Sequence, residues 1–212
     1  MRRALLSILA LAIVMGLVLS MSAPALAGQI YRFKGTGAYA YWQMYDEATN
    51  VYTDIQVYAH ESAYQSPPGR PQPSQYAGIH VYQYRYDDYG NWILLSGVYY
   101  WGDIPAGCLA VDQKLASARL VADGLEGWDY ETGMPVTLDV DVSWTATGPL
   151  TRQSHKSHYH SPDMNRNYRY TGSSRQATAQ GSVHYDGTGI ILGASDWAEL
   201  FSAKEGYVEV NR

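Results

Sequence analysis

The stretch VTLDVDVSW (136–144) sends Val136, Leu138, Val140, Val142 and Trp144 to one side of an extended chain. Thr137, Asp139, Asp141 and Ser143 go to the other. Period-two alternation of this kind marks a strand with one face buried and one face wet. It recurs in VYTDIQVYA (51–59), where Val51, Thr53, Ile55, Val57 and Ala59 alternate with Tyr52, Asp54, Gln56 and Tyr58. Further strands are expected over 35–45, 77–87, 92–101, 115–123, 151–160, 164–171, 174–185 and 197–210. Turn chemistry separates several of them: DDYGN (87–91), TGP (147–149) and DGTG (186–189). No segment sustains a helical period; the nearest, 110–121, reads equally well as a strand. These patterns predict an all-β protein, a single antiparallel β-sandwich or closed β-barrel of about 8–10 strands.

A weak internal repeat suggests two related halves. VYTDIQV (51–57) matches VTLDVDV (136–142) at an offset of 85, GAYAYW (37–42) resembles LASARL (115–120), and RYDDYGNWILLSG (85–97) resembles VHYDGTGIILGAS (183–195). The long polar connection differs most between the halves. In the first it is proline-rich (66–75), and in the second it carries histidines and arginines.

The N-terminus bounds the compartment. Arg2 and Arg3 precede an uncharged apolar run from Ala4 to Leu19, and Ala25-Leu26-Ala27 offers small residues at the positions a signal peptidase reads. Residues 1–27 are therefore read as a secretory signal peptide, with 28–212 as a single β-rich domain that is secreted or extracytoplasmic. An uncleaved anchor is the alternative reading of the same run. Removing 27 of 212 residues leaves 185, enough to bury a core without staples. Cys108 is the only cysteine, and its small, apolar neighbours predict that it is buried. No second apolar run is long enough to span a bilayer once the signal is removed.

Charge narrows the partners. Residues 28–212 keep 13 Lys and Arg, the 15 less Arg2 and Arg3, against 20 Asp and Glu, a net charge of −7. That balance argues against a nucleic-acid partner. It is unevenly spread, because residues 151–176 carry Arg152, Lys156, Arg166, Arg169 and Arg175 against Asp163 alone, a local charge of +4. A basic segment on an acidic domain must meet an anionic ligand or the domain's own carboxylates.

Catalytic signatures such as Gly-x-Ser-x-Gly, His-Glu-x-x-His and the phosphate loop do not occur, so no catalytic residue is assigned. Tyrosine is the loudest compositional feature, with 14 of 20 falling between Tyr31 and Tyr100. His80, Tyr82, Tyr84 and Tyr86 share one strand face; a row of exposed phenols can stack on sugar rings, and it can equally be a set of cross-strand pairs. Trp92, Trp101 and Trp144 are expected in the core. In SHKSHYH (154–160), His158 and His160 fall on one strand face and His155 on the other. Two same-face imidazoles with Asp139 form a candidate divalent-metal site. The competing reading is a hairpin across Thr147-Gly-Pro149 in which Ala146 pairs with Thr151. That register sets Asp141 against Lys156, Asp139 against His158 and Thr137 against His160.

The sequence thus predicts a non-enzymatic binding or surface-associated protein without a required cofactor. The expected partner is an extracellular glycan or cell-surface polymer, met by Tyr82, Tyr84, Tyr86, Arg166, Arg169 and Arg175. The alternatives are a secreted hydrolase using a carboxylate site and a barrel carrying a small apolar ligand. Oligomeric state is left open by the sequence.

Overall fold

The structure is a computed structural model and describes residues 29–65, 69–161 and 164–211; the segment read as a signal peptide lies outside the described residues. All eleven elements of the described residues are strands: β1 (Gln29–Asp46), β2 (Val51–Gln65), β3 (Gln72–Tyr86), β4 (Trp92–Ile104), β5 (Leu109–Val111), β6 (Ser117–Asp129), β7 (Pro135–Ala146), β8 (Thr151–His160), β9 (Met164–Tyr185), β10 (Thr188–Leu192) and β11 (Trp197–Asn211). Every pairing is antiparallel. Eight strands close a ring in the order β1-β2-β3-β4-β6-β7-β9-β11 and back to β1. The fold is an up-and-down β-barrel with β5, β8 and β10 attached to it. No helix among the described residues is long and apolar enough to cross a membrane.

The alternation read from the sequence is the barrel's inside and outside. Ile55, Val57 and Ala59 of β2, and Val136, Leu138, Val140, Val142 and Trp144 of β7, are buried and belong to one continuous core cluster. Trp42 and Trp144 fill the interior, and each indole N–H donates to a backbone carbonyl, of Gly193 at 2.9 Å and of Tyr39 at 3.0 Å. Such pairing removes the penalty of a buried unpaired donor. Trp92 and Trp101, expected in the core, instead lie on the outside, 50% and 42% exposed. Trp101 covers Gly78 of β3, where any side chain would collide with the ring. Cys108 is half-buried against the edge of the core.

The ring order places the first two repeated pairs at equivalent positions, whereas the third leads into β4 of the ring in one half and into β10, off the ring, in the other. GAYAYW lies on β1 and LASARL runs into β6, VYTDIQV is on β2 and VTLDVDV on β7, and the two Tyr-Asp turns follow β3 and β9. The halves meet at β11–β1, a thirteen-pair ladder, and at β4–β6, where only Val98–Asp129 and Tyr99–Trp128 pair. A Cβ on Gly127 would run into the Tyr99 carbonyl at this second seam, so the close approach requires glycine.

The hairpin expected between 136–146 and 151–160 does not form. β7 and β8 lie end to end along the same side of β9: Ala146 pairs with Ala177 and Thr151 with Ser174. Residues 147–150 face only residues 175 and 176, and the N–H groups of Thr147 and Gly148 both donate to the Gln176 carbonyl. The Gly-Pro stretch is thus a bulge within one long run, which bends the strand where the barrel ends. The two strands expected over 164–171 and 174–185 are likewise one 22-residue strand, β9. Beyond the bulge, β8, the first half of β9, the second half of β11, the start of β1 and the end of β2 continue the sheet as a wall past the rim.

Candidate binding face

Residues directly opposite each other in a ladder share a sheet face, as do alternate residues along a strand. Leu200 of β11 and Ala38 of β1 pair and are fully buried inside the barrel. The ladders β8–β9, β9–β11, β11–β1 and β1–β2 continue from there without a register shift. The face that lines the interior can therefore be followed out along the wall, row by row. The first row past the rim reads Arg152, Ser173, Ser202, Thr36 and Glu61. The next reads Ser154, Thr171, Lys204, Lys34 and Ala63, and the third Lys156, Arg169, Gly206, Arg32 and Gln65. Arg175 sits one row inside the rim, opposite Leu200.

Seven cations thus share one face: Arg32, Lys34, Arg152, Lys156, Arg169, Arg175 and Lys204. They are more than half of the 13 in residues 28–212. Six of them beyond the rim span about 14 Å across four strands and about 13 Å along them. All six are exposed. Glu61 is the one carboxylate among the described residues of these rows, and its Oε2 accepts from Gln75 Nε2 at 3.0 Å. None of the seven cations forms an ion pair among the described residues; the Arg119–Asp141 bridge at 2.9 Å lies on the outer face of β6 and β7.

The reverse of the wall has the opposite character. It carries Tyr168 and Tyr170 of β9 with Glu199 and Glu205 of β11. The Tyr168 hydroxyl bonds to Glu205, and burial next to this carboxylate pushes its pKa well up. Burial also raises Glu199, against a hydrogen bond from Ser174.

The candidate site residues separate on this frame. Arg169 and Arg175 lie on the basic face, whereas Arg166 is on the reverse, opposite Tyr159 and Glu209. Tyr82, Tyr84 and Tyr86 sit on the outer face of β3, toward the far end of the barrel. They are adjacent but do not form an exposed row. Tyr84 is 5% exposed, stacks on Tyr52 at 5.4 Å, and meets Gln43 and Asp54 through its hydroxyl. Burial beside Asp54 raises its pKa to about 12. Tyr82 and Tyr130 join hydroxyl to hydroxyl at 2.5 Å, with His80 Nδ1 at 3.1 Å from Tyr82. Only Tyr86 stands well out, at 47% exposure.

His158 and His160 do face the same way, their rings parallel and 6.5 Å apart. Each has an asparagine on β9 against Nδ1: Asn167 for His158 at 2.6 Å, and Asn165 for His160. Asp139 does not join them. It lies opposite His184, and its Oδ1 accepts from the Gly124 N–H at 2.7 Å. The expected ladder of Asp139 and Asp141 against His158 and Lys156 is thereby overturned: Lys156 faces Arg169, and Asp141 faces Ser182 and Val121 while accepting from the Arg119 guanidinium. The described residues contain no cluster of three or more His, Cys, Asp or Glu able to hold a metal.

At the rim, an open cleft of about 410 Å³ is lined by Lys114, Arg152 and Arg175 with Gln113, Ser173, Ser202, Leu115 and Leu150. Sequence reasoning located the basic segment 151–176 but not Arg32, Lys34 or Lys204. The signal was their even spacing from the inward residues of their own strands, Ala38, Ala40 and Trp42 on β1 and Ala198 and Leu200 on β11. Comparison with family models, curated proteins and solved structures finds no match for this chain.

Proposed function

We propose that the protein is an exported, non-enzymatic binding protein that holds an anionic extracellular glycan against the basic face of the wall. The observation that carries this reading is a pair of like-charge contacts: Lys34 lies directly opposite Lys204, and Lys156 directly opposite Arg169. Like charges opposed across an antiparallel ladder cost roughly 0.2–1 kcal/mol each. Glu61, the one carboxylate of these rows, is engaged by Gln75 and no carboxylate of the described residues forms an ion pair with the four cations, so the wall is less stable than a mixed-charge wall of the same shape. An extended polyanion supplies the missing charge. The acids on the remaining outer surface and the net charge of −7 disfavour wrapping by long nucleic acids while leaving the wall open. Export follows from the signal-peptide reading of residues 1–27, and an extracellular glycan is the polyanion such a protein meets.

The test is retention of purified residues 28–212 on immobilised alginate, neutral dextran and duplex DNA at low ionic strength. Retention on alginate, release by salt and passage through dextran are expected. Free passage through alginate at low salt, or stronger retention on DNA, overturns the reading.

A further inference from the structure

We propose that the rim cleft lined by Lys114, Arg152 and Arg175 is a discrete subsite for a tetrahedral oxyanion ester, a sulfate or phosphate carried on the sugar. This rests on the glycan reading above and specifies its ligand. The three cations come from three separate chain segments, and Ser202 adds a hydroxyl from a fourth. Donors that surround a point from several sides suit an ion with acceptor oxygens in all directions. A two-pronged arginine fork meets a carboxylate or one edge of a phosphate alike, so it is the further donors from other segments that favour the tetrahedral ion. No carboxylate lines the cleft among the described residues.

One of the three cations is fixed by a hydrogen bond, and the other two stand on ordered backbone. Arg175 donates through Nε to the Gly148 carbonyl at 3.1 Å, so the bulge between β7 and β8 fixes its guanidinium at the rim. Lys114 stands on a loop whose backbone is tied by Asp112, which accepts from the N–H groups of Lys114 and Ala116 at 3.0 Å each. Leu115, beside it, is 2% exposed and adopts φ 55°, a conformation rare for a bulky residue. Its side chain anchors the loop in the core and leaves Lys114 facing outward. Arg152 stands on β8 directly opposite Ser173 of β9. Positioning of this kind lowers the ordering cost of binding a small anion. Leu150, 40% exposed, offers an apolar wall for the ring that carries the ester.

The experiment compares binding of residues 28–212 to alginate, which carries carboxylates only, and to a dextran sulfate matched to it in charge per sugar. Inorganic sulfate and phosphate serve as competitors. Wild type is expected to bind the sulfated polymer about tenfold more tightly and to lose that preference when either free ion is added. Lys114→Gln and Arg152→Gln, both at exposed positions, should bring the sulfated polymer to the carboxylate level. Lys34→Gln should instead weaken both polymers in proportion. Equal affinity for the two polymers in wild type, or a preference that survives both cleft variants, overturns the subsite and leaves the wall as a general polyanion face. Failure to bind either polymer overturns the glycan reading itself.

Discussion

The two ends of the barrel are both unusual, and they differ in how far the fold explains them. The end that carries the β1–β2, β3–β4 and β6–β7 turns displays Tyr45, Tyr86, Tyr89, Trp92, Tyr130 and Met134, all at least 39% exposed. It is also acidic. Yet its groups account for one another. Tyr52 stacks between Tyr45 at 4.6 Å and Tyr84 at 5.4 Å, and Trp92 packs on Tyr84 at 5.4 Å. Asp46 accepts from the Thr49 hydroxyl, Asp87 from the Asn91 side-chain amide and Asp129 from the Thr132 N–H and hydroxyl, and these bonds, with further backbone N–H groups of the same turns, hold their pKa values below the usual carboxylate range. These side chains build the turns and brace the strands. The opposite end has seven cations on one face and two like-charge pairs, and none of those seven forms an ion pair among the described residues. Composition alone does not distinguish a structural cluster from a binding one; satisfaction of its polar groups does.

That difference can be broken or sharpened by mutation. The largest effect is expected from Tyr84→Ala at the aromatic end, which removes a buried ring and its hydroxyl contacts. Stability should fall by about 3–5 kcal/mol, measured by urea unfolding, with polyanion affinity of the folded protein unchanged. The double variant Lys34→Gln/Lys204→Gln should behave in the opposite way. Affinity for alginate should drop about tenfold or more at low salt, while stability rises by about 0.2–1 kcal/mol as the like-charge pair is removed. A stability loss in this variant would show that the lysines brace the wall.

A smaller effect concerns pH. Burial between Tyr58 and Tyr76 lowers the pKa of His60, only partly countered by Asp103, and its Nδ1 has no hydrogen-bond partner. Burial among Tyr82, Tyr99 and Tyr130 lowers that of His80. A histidine whose pKa is lower folded than unfolded favours the folded state fully above about 6.5, and that contribution is lost as pH falls toward the folded value. The melting temperature should therefore decline between about pH 7 and pH 5, and His60→Gln should flatten the decline. A melting temperature independent of pH in this range contradicts the burial of both rings.

Much of the barrel is legible in the sequence because each strand's hydrophobic side repeats every second residue. β7 and β2 show it most plainly, and the Asp186-Gly187 turn is recognisable because both residues take positive φ, 43° and 77°. Strand neighbours are less legible. Thr147-Gly-Pro149 has turn chemistry, but a bulge and a hairpin draw on the same residues. Which one forms depends on whether a third strand, here β9, pairs with both flanking segments. The histidine-carboxylate ladder failed for that reason: His158 and Asp139 both border β9, but at different heights. The basic face was half visible. Residues 151–176 reveal a charge excess, but period two splits Arg166 from Arg169 and Arg175, and Lys34 and Lys204 join only through pairing across 170 residues of chain. Trp92 and Trp101 misled because apolar neighbours look alike on a core strand and under an outer aromatic cluster.

The most direct measurement is the salt dependence of polyanion binding, wild type beside Lys34→Gln/Arg169→Gln/Lys204→Gln and Tyr86→Ala. Binding through six cations beyond the rim is expected to give log affinity falling with log salt at a slope of about −4. The triple variant should reduce that slope by about 2, and Tyr86→Ala should leave it unchanged. A wild-type slope near zero, or a loss of binding in Tyr86→Ala with the triple variant unaffected, contradicts the assignment of binding to the basic wall.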